Sequence, residues 1–134
     1  MSDCIFCKIV KGEIPCFKIY EDESVLAFLD IFPANVGHTL IIPKKHRRDL
    51  FDIEEKEIER VGVVAKKVAL KYKKELNMDN CNIIHSTGQY SGQEVFHFHM
   101  HLVPRYENDG LNVWHGKSVK KPDFKVLQEK LKLN

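Results

Sequence analysis

None of the 134 residues belongs to an apolar run long enough to cross a membrane. The first residues, Met1-Ser2-Asp3-Cys4, lack the basic and then apolar character of a secretory leader. These absences predict a cytoplasmic protein with no membrane partner, whose thiols stay reduced. Cysteines number only four, and Cys4-Ile5-Phe6-Cys7 is not followed by a second C-x-x-C pair. A redox role for that pair would need a thioredoxin-like βαβ context, which is also missing. No internal repeat and no low-complexity segment interrupts the chain. Net charge is only +2, and the lysines are dispersed or helical instead of clustered, so no nucleic-acid partner is expected. The length suits one domain, 1–134, with its core over about 4–106 and a C-terminal segment over about 107–134.

What the chain does have is concentrated in Val95-Phe96-His97-Phe98-His99-Met100-His101-Leu102-Val103-Pro104. Aromatic and branched residues in strict alternation predict a β-strand. His97, His99 and His101 then share one face, about 6.7 Å apart along the strand, and Phe98, Met100 and Leu102 share the other. Three imidazoles on a strand with an apolar reverse face admit three readings. They could be a surface decoration, a three-histidine metal site, or a phosphate-handling site with one imidazole as nucleophile. The metal reading suffers from span, because three consecutive histidines on one strand fit a tetrahedral ion poorly.

The rest of the chain supplies a frame for that strand. Ile5, Phe6 and Ile9 are spaced as a short helical turn ended by Gly12. Phe17–Tyr20 and Ser24–Asp30 read as a hairpin, and Gly37–His46 contains a third strand with His38 at its start and His46 beyond its end. Ile58, Val61, Ala65, Val68, Tyr72 and Leu76 step by three and four and predict a long amphipathic helix. Asp52 with Glu55 reads as its capping pair, and its acidic start and lysine-rich end complement the helix dipole. Cys81–His85 is a fourth strand, and Cys16 and Cys81 read as small core or structural residues. The loop from Ser86 to Glu94 holds Gly88 and Gly92, which let backbone N–H groups approach an anion. Phe124, Leu127 and Leu131 predict a C-terminal helix, and no regular period covers Trp114 and His115. If Cys4 and Cys7 are half of a metal site, the other ligands are distant, and His38, His46, His85 and His97 are all candidates.

The run from His97 to Val103 fills every position of the pattern His-φ-His-φ-His-φ-φ, φ being apolar, and so resembles the signature of the histidine triad family of nucleotide hydrolases and transferases. The Hint-like bacterial and archaeal branch, which carries an N-terminal zinc site, is the most similar. The resemblance implies an α+β fold, with a five-stranded antiparallel sheet packed by one long helix and short terminal helices, assembled as a homodimer. It implies a structural zinc held by Cys4, Cys7, His46 and His97, and no catalytic cofactor. It implies His99 as the nucleophile toward an α-phosphate, with His101 on the phosphate or leaving group and His38 as a supporting histidine. For a purine nucleotide of the AMP or GMP type, Asp30 would take the ribose hydroxyls, acceptor-only chemistry suited to a diol. Ile5, Phe6, Ile9, Phe28 and Ile31 would wall the base. Gln93, Gly92 and Ser86 would serve the phosphate, Ser86 standing where the family usually shows asparagine. Glu94 stands where animal relatives have a serine that contacts phosphate, and that role does not transfer to a carboxylate.

The function this implies is hydrolysis at the α-phosphate of a nucleoside 5′-phosphoramidate or dinucleoside polyphosphate through a nucleotidyl-histidine. The rival expectations are a non-catalytic purine-nucleotide binding module and a metalloprotein of the three triad histidines. A galactose-phosphate type transferase is disfavoured, because its third triad position is typically glutamine and here it is His101.

Overall fold

The computed structural model describes residues 3–113 and 119–134. Its element order is α1 (Ile5–Val10), β1 (Lys18–Glu21), β2 (Val25–Leu29), β3 (Thr39–Pro43), α2 (Glu55–Glu75), β4 (Asn80–Ile84), β5 (Met100–Arg105) and α3 (Phe124–Leu131). The strands form one antiparallel sheet in the order β1-β2-β3-β5-β4. The fold is therefore the expected α+β arrangement, and Trp114 and His115 lie outside the described residues.

β2 and β3 are buried along nearly their whole length, not alternately. Both faces of the sheet are covered, which is what continuous apolar strands require. On one face Val25, Ala27, Ile41, Phe98 and Leu102 meet Val61, Val64, Ala65, Val68 and Tyr72 of α2. On the other, Leu26, Phe28, Leu40 and Ile42 meet Phe6 of α1. Phe98, Met100 and Leu102 thus pack toward α2, as their alternation predicts, and the triad histidines are left to the α1 side.

Three local expectations are corrected. The last strand begins at Met100, not Val95. β3 ends at Pro43, which has no N–H to extend the ladder, and its carbonyl accepts from His97 Nε2 at 2.8 Å. Upstream, Phe98 N–H donates to the Arg47 carbonyl, so the 95–99 backbone is tied to loops instead of a strand. The α2 cap is Glu54, whose N–H donates to Glu57 Oε1 at 3.1 Å. Asp52 is drawn away by Arg48 N–H at 2.7 Å and cannot serve as that cap. Cys81 is exposed, not structural core, because β4 is an edge strand.

Candidate active site and metal centre

The histidines separate by what their ring nitrogens meet, and the backbone decides each tautomer. His97 Nε2 must carry a proton to donate to the Pro43 carbonyl, so its Nδ1 presents a lone pair. That Nδ1 lies 3.4 Å from Cys4 Sγ and 3.5 Å from Cys7 Sγ, and His46 Nδ1 lies 3.3 Å from Cys7 Sγ. For ligands about 2.3 Å (sulfur) and 2.0 Å (nitrogen) from a tetrahedral divalent ion, neighbouring donors are about 3.5 Å apart. The donor set therefore fits, with all four ligand atoms within 4.8 Å of one another. Cys4 is also the N-cap of α1, accepting from Cys7 N–H at 3.4 Å, so the ligands sit at the root of the helix that covers the site.

His99 Nδ1 donates to the His97 carbonyl at 2.8 Å. This leaves Nε2 as the free lone pair. The carbonyl of His99 is held in turn by His85 Nδ1–H at 3.0 Å, and His85 Nε2 accepts from the Thr87 hydroxyl at 2.5 Å. The His85 ring stacks on Phe98, with centroids 4.2 Å apart. His85 is thus a brace behind His99 and not a metal ligand. His46, not His85, completes the group with Cys4 and Cys7.

His38 and His101 form a directed chain. Ala34 N–H donates to His38 Nδ1 at 2.9 Å, so the proton of His38 is on Nε2. His38 Nε2 in turn lies 2.9 Å from His101 Nδ1, which must accept. The remaining proton of His101 is on Nε2. Asp30 Oδ2 lies 3.6 Å from His38 Nε2, and its other oxygen accepts from Phe32 N–H at 2.8 Å, closing the turn after β2. Burial pushes the pKa of His38 and His99 below the ordinary imidazole value. It pushes His101 down to about 4, with His99 and His38 adding to the effect. Neutral imidazoles result, which the tautomer chain requires.

A cavity of about 470 Å³ opens onto His99 and His101. Ile5, Phe6 and Ile9 of α1, Phe28 of β2, and Asp30 and Ile31 beyond it line this space, together with Gly92. Phe6 meets the His99 ring edge-on, at a centroid distance of 5.2 Å. Sequence reasoning missed Phe32, Leu40 and Val95, which also line it, and gave no role to Glu94, which lines it too. Only the fold shows that the turn after β2 and the loop before β5 face one another.

Two expected phosphate residues are placed elsewhere. Ser86 lines a separate depression with Asn82, Ser91 and Arg105. As His85 turns inward to the His99 carbonyl, its neighbour turns out. Gln93 is buried and its amide is fully engaged: Nε2 donates to the carbonyls of Arg48 and Val95, and Oε1 accepts from Gly88 N–H. It braces the loop and offers no donor to the cavity. The three-histidine metal site is also excluded by geometry, because His97 and His99 direct their donor atoms to different partners.

These features define an α+β protein with one antiparallel sheet and a largely apolar cavity that opens onto the imidazoles of His99 and His101. Comparison with known proteins agrees: the HIT domain matches residues 11–108. The chain is 43% identical to a solved Streptococcus mutans protein, covering 97% of this chain and 82% of that one at a TM-score of 0.87. It is 41% identical to a zinc-bound histidine triad family protein of Mycobacterium smegmatis (84% and 81% covered, TM-score 0.80). An adenosine 5′-monophosphoramidase of Saccharomyces cerevisiae is 43% identical over 92% of this chain and 75% of its own length. The chain belongs to the histidine triad (HIT) family.

Proposed function

We propose that this protein is a purine-nucleotide hydrolase that cleaves nucleoside 5′-phosphoramidates at the α-phosphorus by way of His99. The observation that carries the proposal is the fixed tautomer of His99. Its Nδ1–H is held by the His97 carbonyl, so a neutral lone pair on Nε2 faces a cavity of nucleotide size. The similarity to an adenosine 5′-monophosphoramidase supports this choice over a dinucleoside polyphosphate.

In this reading the base lies among Ile5, Phe6, Ile9, Phe28 and Ile31, and the ribose hydroxyls donate to Asp30. His99 Nε2 attacks phosphorus in line with the leaving amine, and the P–N bond breaks as that nitrogen takes a proton from solvent, while the neutral His101 donates a hydrogen bond from Nε2–H to the phosphoryl group. The His38–His101 contact keeps that proton on the correct nitrogen. Water then bonds to phosphorus through its oxygen and releases a proton to solvent, the His99–phosphorus bond breaks, and nucleoside monophosphate leaves with His99 restored.

Zinc in the Cys4, Cys7, His46, His97 site would be structural, since four protein ligands leave no open position. When bound it would tie α1, the wall of the base pocket, to His97, whose carbonyl sets the His99 tautomer. The same reading includes a homodimer, to which the edge of β4, unpaired among the described residues, is open, Ile83 being half-exposed on it.

The test is release of AMP from adenosine 5′-phosphoramidate by wild type and by His99→Ala, with no metal added. Turnover by wild type alone supports the proposal. Binding of AMP without turnover of the phosphoramidate would instead make the protein a nucleotide-binding module.

A further inference from the structure

Among the described residues, the cavity assigned to a phosphate ester is lined by two carboxylates, Asp30 and Glu94, and by no lysine or arginine. Asp30 is engaged by Phe32 N–H and faces His38. Glu94 differs. It is exposed, and among the described residues its carboxylate meets no cation and no hydrogen-bond donor.

Its backbone is held firmly on both sides. The Gln93 amide clamps Arg48, Val95 and Gly88, and Val95 packs against the core beside Phe6 and Leu26. The backbone that carries this unpaired carboxylate is therefore held in place at the rim, while His99 is buried at the floor. Displacement at phosphorus is in line, so a group leaving opposite His99 Nε2 departs outward, toward that rim. A carboxylate there repels a polyanionic leaving group and attracts a cationic one.

Resting on the function proposed above, we propose that Glu94 determines specificity for the leaving group. It selects nucleotidyl phosphoramidates whose amine bears a second, protonated amino group, and it disfavours polyphosphate chains. As the P–N bond breaks, the departing nitrogen takes a proton from solvent, and the distal ammonium stays opposite Glu94 throughout.

The test uses two AMP phosphodiesters, whose alkoxides are poor leaving groups: an aminobutyl ester and its neutral pentyl isostere. Affinities are measured by calorimetry at low salt for wild type, Glu94→Gln and Glu94→Lys. Wild type should bind the aminobutyl ester about 1.5- to five-fold more tightly, the range of an exposed ion pair. Glu94→Gln should bring the ratio to about one, and Glu94→Lys should invert it. The same ratio in wild type and Glu94→Gln would overturn the assignment of Glu94 alone. Failure of both esters to bind any of the three proteins would overturn the nucleotide site itself, and this inference with it.

Discussion

His38 Nε2 and His101 Nδ1 lie 2.9 Å apart, and the backbone gives their hydrogen bond one direction. Ala34 N–H occupies the other nitrogen of His38 as a donor, so His38 donates to His101. The consequence reaches the cavity, because His101 then keeps its proton on Nε2. Nitrogen-15 NMR of the imidazoles should find the Nε2–H tautomer at His101. An Nδ1–H tautomer there would contradict the relay. His38→Ala removes the acceptor for Ala34 and the donor for His101, and should lower kcat about 100-fold, in the range of one lost hydrogen-bond donor to the transition state.

The acid limb of the activity profile follows from burial. The ordinary imidazole value is 6.5, and His101 is pushed down to about 4. A depressed value means that the folded state holds the neutral ring, so His101 stays competent as pH falls through 6.5 and is protonated only near 4. The linked stability has the same sign. The contribution is fully present above 6.5 and is lost as pH falls from there toward the folded value. A proton NMR titration of the His101 ring checks this directly, and a midpoint near 6.5 would contradict it.

Metal and pocket are linked through α1. Cys4→Ser removes a ligand and weakens the N-cap of a helix whose Ile5, Phe6 and Ile9 line the cavity. Zinc content should fall from one per chain to near zero, with a lower melting temperature and weaker AMP binding. A chelator should reproduce these changes in wild type and add nothing in the variant. A full zinc complement in Cys4→Ser would remove the cysteine from the ligand set.

Gln93 tests the loop. Its amide satisfies two carbonyls and one N–H, so Gln93→Leu leaves three polar groups unpaired in a buried place. The expected cost is about 2–4 kcal/mol of stability. Gln93→Glu keeps the shape but cannot donate to either carbonyl and should be similarly costly, which denaturant unfolding would show.

Much of this arrangement was legible in the sequence because period and chemistry coincide. Alternation from His97 to Leu102 separated imidazoles from core residues, and the three-four spacing of α2 marked the helix that packs on Phe98 and Leu102. Val64 escaped that spacing although it is fully buried, because α2 presents a broader face than a single stripe. The misplacements of Ser86 and Gln93 have a different cause. Both are polar residues in a loop, and no periodicity tells a loop side chain that points into a cavity from one that turns back to cap its own backbone. His85 has the same origin. As one of four distant histidines it was a candidate partner for the Cys4–Cys7 pair, and only the contact with the His99 carbonyl reveals the brace.

The central claim is that His99 Nε2 becomes covalently nucleotidylated. The direct measurement is acid-quenched peptide mass spectrometry of wild type and His101→Ala during turnover of adenosine 5′-phosphoramidate. An adenylyl group on the peptide carrying His99, at that residue, is the result predicted. Rapid AMP release with no adduct on His99 in either protein would contradict it.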